Sequence, residues 1–188
     1  SETVSGLELG IRGVVGVLNY DVAAYWMAKD DVIFQDRDRY NVSGAETEHR
    51  GVELNFSWAI DEVWSLKGNC SYARHRYDSD IKLLGSRGTI QGNDIDTSPR
   101  HFGSVQLMAD FTSRNQPVRA ELEWLWVAKY WLDPNNQHEY GGHELINLRA
   151  AWKVSPNLTL TLVATNLLDE GYAAVSYTHL SCRRSSEC

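Results

Sequence analysis

Apolar and polar side chains alternate along most of this chain with a period of two. From Ala120 to Leu132 the even positions read Ala120, Leu122, Trp124, Trp126, Ala128, Tyr130 and Leu132, while Glu121, Glu123, Leu125, Val127, Lys129 and Trp131 fill the odd ones. A helical period would gather Glu121, Leu125 and Ala128 on one side, so the spacing predicts a strand. The same alternation marks Leu7–Ile11, Tyr20–Ala28, Val52–Ile60, Trp64–Tyr72, Val105–Phe111, Ile146–Val154 and Leu158–Ala164. About eight strands are expected, several of them long for an ordinary soluble sheet.

The connections alternate too. Short turns are expected near 13–17, 61–62, 113–117 and 155–157, and longer polar links at 35–47, 78–98 and 133–142. Long strands joined by short and long links in turn describe an antiparallel up-and-down transmembrane β-barrel of the outer-membrane kind. Trp58, Trp64 and Trp152 fall beside the short turns, where an aromatic girdle would lie. A soluble β-sandwich also alternates, but mid-strand Glu, Asn and Lys opposite an almost uncharged face fit a wet lumen and a lipid-facing wall better. Solubility without detergent would favour the sandwich.

Composition sharpens this picture. Seven Trp and nine Tyr against four Phe favour rings that carry a polar atom, as boundaries between oil and water do. A net charge of −7 disfavours a nucleic-acid partner. Cys70, Cys182 and Cys188 include no CxxC pair and give no disulfide framework.

Candidate chemistry is sparse. His138-Glu139 and His143-Glu144 miss the HExxH spacing by one residue and sit around a Gly-Gly loop. The acid pairs Asp36/Asp38, Asp78/Asp80 and Asp94/Asp96 could hold a hard cation, although solvated loop charge is the commoner use of such pairs. Gly10, Gly13 and Gly16 do not make a dinucleotide fingerprint, and neither a cofactor nor a metal site is expected. No Ser/His/Asp spacing marks a nucleophile; a barrel enzyme of lipase or protease type would need such a pair to meet at the rim.

Several segments resemble TonB-dependent outer-membrane receptors. These are Glu8-Leu9-Gly10-Ile11-Arg12-Gly13, Ala24–Ile33, the run His49-Arg50-Gly51-Val52-Glu53-Leu54, and Gly92-Asn93-Asp94-Ile95 followed by Ser98-Pro99-Arg100-His101. Glu123-Trp124, Tyr130, Asp133-Pro134 and Leu145–Arg149 continue in the family's order, and Asn166-Leu167-Leu168-Asp169-Glu170-Gly171-Tyr172 is similar to its penultimate-strand motif. The resemblance implies the carboxyl-terminal part of a large barrel over 1–174, about eight strands of about twenty-two. It also implies a plug domain and a TonB-engaging segment upstream of Ser1, whose surroundings look like an internal cut. Residues 175–188 depart from the family and are expected to be a non-family tail.

The function implied is not enzymatic. It is a part in importing a metal chelate, most readily a ferric siderophore, across a bacterial outer membrane, with outer-membrane lipid and the TonB complex as partners. Lumen-facing positions are expected at Glu53, Asn55, Glu121, Glu123, Lys129, Asn147 and Arg149. Ligand approach is expected at Arg37, Arg39, Tyr40, Arg87, Arg100, His138 and Tyr140, because anionic aromatic chelates attract guanidinium and ring groups. Expressed alone, such an arc would present two unpaired edges, and inclusion bodies are expected.

Overall fold

The computed structural model describes residues 1–36, 38–84 and 86–172. Eight strands form one antiparallel meander: β1 (Thr3–Val15), β2 (Leu18–Gln35), β3 (Asn41–Ala59), β4 (Trp64–Tyr77), β5 (His101–Ser113), β6 (Gln116–Val127), β9 (His143–Ser155) and β10 (Leu158–Ala164). Between β6 and β9 a separate hairpin pairs β7 (Tyr130–Trp131) with β8 (Glu139–Tyr140). The main sheet is open, with β1 and β10 at its two ends.

Register turns the alternation of each strand into two continuous faces. Ile11, Val22, Leu54 and Cys70 stand opposite one another in succession, and so do Val105, Trp124 and Ile146. Cross-strand partners share a face, so the apolar sets of all eight strands add up to one apolar side. That side is not covered: Leu9 is 77% exposed, Leu160 52% and Trp124 41%. A second sheet stacked over it, as in a sandwich, is absent among the described residues.

The short turns lie where the sequence places them, and the Asp61 carboxylate closes one by accepting from the amides of Val63 (2.8 Å) and Trp64 (2.7 Å). At the other end two expectations fail. Residues 35–47 are not a long loop, because β2 and β3 keep pairing outward to Gln35↔Asn41. Backbone ladders do not depend on polarity, and irregularities between Lys29, Val32 and Phe34 carry the pairing through a polar stretch. Residues 120–132 are not one strand either. β5 begins only at His101, so β6 runs out of ladder at Phe102↔Val127, and the chain leaves the sheet there.

Glycines receive aromatic rings within the sheet. Gly68 faces Phe56 and Gly103 faces Trp126 across the register. A Cβ at Gly103 would stand 2.6 Å from the Trp126 ring and one at Gly68 2.6 Å from the Phe56 ring, so each ring occupies the notch that a missing side chain leaves. The few buried apolar residues are Ala45 of β3, Ala73 and Tyr77 of β4, Ala109 of β5, Tyr130 of β7 and the fully buried Ile90 of the 78–100 connection, and Ala45, Tyr77 and Ile90 lie toward the end that bears the long connections.

Candidate functional site

The end bearing the long connections is built as one block. The β2–β3 tip is closed by Asp36, whose Oδ1 accepts from the amides of Asp38 and Tyr40, both at 2.9 Å. It is tied to the 78–100 connection by an Asp36↔Leu83 bridge and by the Leu84 amide donating to Gln35 O. Asparagine side chains join that connection to the β7–β8 turn. Asn136 Oδ1 accepts from the Asp94 amide and its Nδ2 donates to Asp94 O, both at 2.9 Å. Asn135 engages Arg87 through the same two-way pattern, and Asn93 Nδ2 donates to Pro134 O. Each amide imitates a strand partner, satisfying backbone groups that no ladder reaches.

At the base of this block a single carboxylate serves three guanidinium groups. Asp94 lies 2.6 Å from Arg100 Nη2, 3.3 Å from Arg74 Nε and 4.0 Å from Arg76 Nε. The second acid of that pair, Asp96, accepts from the Tyr77 hydroxyl at 2.6 Å. Asp36, Asp94 and Asp96 are therefore structural caps and counter-ions, and no metal-binding group of His, Cys, Asp and Glu occurs among the described residues.

The expected approach residues fall in this block, apart from Arg37, which lies outside the described residues. Arg39 and Tyr40 are exposed at the β2–β3 tip. Arg87 is exposed with its backbone held by Asn135. His138 Nδ1 meets Asp133 Oδ2 at 3.0 Å, and the Tyr140 hydroxyl meets His143 Nδ1 at 3.1 Å. Partial burial raises the Asp133 carboxyl, but the amides of His138, Gln137 and Asn135 donate to it and hold it below the ordinary range. Arg100 is committed to Asp94.

The polar face of the sheet carries two separate groups. In one, Arg149 reaches Glu121 at 2.6 Å and Glu123 at 3.4 Å, while Gln106 and Asn147 also donate to Glu123. In the other, on β3, Glu53 and Asn55 stand opposite Ser71 and Asn69 of β4. Lys129 belongs to neither: it lies past the end of β6, pairs with Glu139 at 3.0 Å, and lines a groove with Tyr72 and His101 on the apolar side. Its odd position in the expected long strand misplaces it, because that strand ends at Val127.

Sequence reasoning missed a histidine pair on the polar face. His49 Nδ1 lies 2.8 Å from His75 Nδ1, and Thr47 Oγ1 lies 2.9 Å from His49 Nε2. Both imidazoles lie three residues beyond the Val52–Tyr72 rung, outside the apolar band. Burial, helped by the neighbouring His75 and Lys29, pushes His49 down to about 4, and burial with Lys29 also lowers His75. Only the register, which sets residue 49 against 75, could have shown the pairing.

The sequence model of the TonB-dependent receptor-like β-barrel family matches residues 1–167. The chain belongs to this family. As a member of the TonB-dependent receptor barrel family it is 22% identical over 173 residues to the ferric-pyoverdine BN7/BN8 receptor of Pseudomonas putida, covering 91% of this chain and 20% of that protein. It is also 22% identical to the ferrichrome outer membrane transporter/phage receptor of Escherichia coli K12, over 85% of this chain and 21% of that one. Among solved structures, the ferric yersiniabactin uptake receptor FyuA of Yersinia pestis superposes with a TM-score of 0.77 at 20% identity, covering 90% of this chain and 25% of that one. The chain thus spans about a quarter or less of the length of these relatives. The family is one of transporters and receptors and not of enzymes, which removes the barrel-enzyme alternative.

Proposed function

We propose that this chain is barrel wall and outer-loop structure of a bacterial outer-membrane receptor that imports a ferric siderophore or a related metal chelate with energy supplied through TonB. The observation that carries the reading is the uncovered apolar side of an eight-stranded meander in a chain of this family. Strands of 12 residues or more exceed the roughly 9–11 needed to cross a bilayer, so their outer ends project beyond it. Lipid covers Leu9, Val22, Leu54, Leu122 and Leu160. The opposite face, with Glu53, Asn55, Glu121, Glu123, Asn147 and Arg149, turns to the lumen and its plug. Indoles fit the boundary: Trp26 Nε1 donates to Glu48 and Trp124 Nε1 to Glu144, each ring on the apolar side with its polar atom satisfied.

Arg39, Tyr40, Arg87, His138 and Tyr140 present cations and rings at the mouth, where an anionic chelate would arrive. Residues 1–174 are the barrel part. The proposed tail, 175–188, lies outside the described residues. The test is uptake of radiolabelled iron by cells whose receptor is replaced by the complete protein carrying this segment. Uptake should depend on TonB and fall several-fold when Arg39, Arg87 and His138 become Gln together. TonB-independent uptake, or none with any chelate tried, refutes the proposal.

A further inference from the structure

We infer that Met27, His49 and His75 form a binding site for a bare copper ion in the cuprous state, on the polar face of the sheet toward its outer end. The inference goes beyond the reading above, because it concerns a free ion whatever chelate is imported. The three residues make one rung: register sets Met27 of β2 against His49 of β3, and His49 against His75 of β4. Cross-strand partners on one face have Cβ atoms about 5 Å apart, so a thioether on β2 reaches the imidazole beside it. Gly6, the next residue of the rung, has no side chain to crowd that thioether. No motif marks the site, because its donors come from three strands. His49 and His75 fall short of a group of three His, Cys, Asp or Glu among the described residues, and the methionine supplies the third donor.

The histidine geometry favours a shared ion. The two Nδ1 atoms lie 2.8 Å apart and the rings are tilted by 54°, so both nitrogens face one gap. A tetrahedral ion bound at about 2.0 Å by each would hold them about 3.3 Å apart, and ring rotations that part them by about 0.5 Å admit it. Without an ion, only one of the two nitrogens can carry the proton between them, and the other is a lone pair. We assign the lone pair to His49. Thr47 Oγ1, buried and 2.9 Å from His49 Nε2, accepts Nε2–H and leaves Nδ1 open to the gap. A ligating imidazole is ordinarily held in this way at its other nitrogen. Burial keeps both rings neutral at neutral pH, which is the form that ligates.

The rung opens into a cavity of about 380 Å³ that Glu8, Lys29 and Glu53 also line. Two carboxylates against one ammonium leave a single negative charge beside the neutral rings, which one monovalent cation balances. Thioether sulfur is soft and selects Cu(I), and imidazole accepts the same ion. Zinc takes thiolate, imidazole and carboxylate donors, and the rung holds neither a thiolate nor a carboxylate.

The experiment takes the complete receptor, stripped of metal and kept in detergent with a reductant, and titrates it with Cu(I) against a chromophoric Cu(I) chelator. X-ray absorption reads the sulfur and nitrogen neighbours of the bound ion. Wild type should bind one equivalent more than H75Q, and M27L should lose a sulfur neighbour. T47V, which leaves every donor in place, should weaken that equivalent by about 10–100-fold, and M27L by at least as much. Heat-modifiable migration on a gel checks that each variant keeps its barrel. M27L preserves both histidines and the bulk of the side chain, so it decides the matter if H75Q fails to fold. Equal Cu(I) stoichiometry and affinity in wild type, H75Q and M27L overturns the inference and leaves the histidines as a hydrogen-bonded brace. Zn(II) held more tightly than Cu(I) at this equivalent also overturns it, by assigning the rung to a divalent ion.

Discussion

Replacing Gly103 with Ala tests whether the aromatic rings hold the register of the wall. The added Cβ would meet the Trp126 ring at 2.6 and 2.7 Å, and it would come closer still to the Asn69 carbonyl oxygen. Ordinary carbon contacts lie near 3.5–4.0 Å, so the ring must retreat by about 1 Å. The Asn69 oxygen is backbone, next to the Cys70↔Gly103 pair, and cannot retreat without loosening the β4–β5 ladder. Overpacking of this kind costs about 1–3 kcal/mol. Gly10→Ala is the matched control, because its Cβ would find only Val22 O, at 3.6 Å, an ordinary contact. Urea unfolding of the complete receptor refolded in detergent, followed by Trp emission, should show G103A unfolding at lower urea than wild type, by the midpoint shift that about 1–3 kcal/mol produces on the slope measured for the wild type. G10A should stay within about 0.5 kcal/mol. If G103A and G10A unfold together, Trp126 does not fill the notch at Gly103.

Two further outcomes follow from the outer end. Asp94→Asn removes the carboxylate shared by Arg74, Arg76 and Arg100; loss of a largely buried counter-ion costs about 3–5 kcal/mol, so amide exchange across 90–100 should accelerate by orders of magnitude while the β9–β10 amides stay protected. His49 titrates near 4 when folded against about 6.5 when free, so the unfolded form binds more protons between these values and stability falls as pH drops through that window. Protease cleavage of the β3–β4 outer end should therefore rise below pH 6.5 and be flattened in H49Q; a pH-independent rate in wild type would contradict the pairing.

The sheet was legible in the sequence because a meander with one apolar and one polar face writes itself as a period of two. Leu7–Ile11, Val52–Ile60 and Leu158–Ala164 could be assigned without knowing their neighbours. The outer end was not legible. Asn41–Thr47 pairs through backbone atoms that any composition supplies, so polar residues there read as a loop. Ala120–Leu132 failed for the opposite reason: alternation ran on past Val127 after the partner strand had stopped. His49–His75 and Arg74–Asp94 are contacts across 26 and 20 positions, and residue type at one end carries no mark of the other. The polar-face group around Glu123 was easier to read, because alternation alone puts Glu121 and Glu123 on one side.

The three asparagines that stitch the 78–100 connection to the β7–β8 turn also limit how such a receptor could be re-engineered. Asn93, Asn135 and Asn136 bind main-chain atoms of the opposite segment, so their grip depends on the partner's path and hardly on its side chains. Point changes at exposed tips such as Gln137 and Arg87 then leave this clasp untouched. Transplanting either segment alone into another barrel would carry half of a clasp, and the two must be exchanged as a pair.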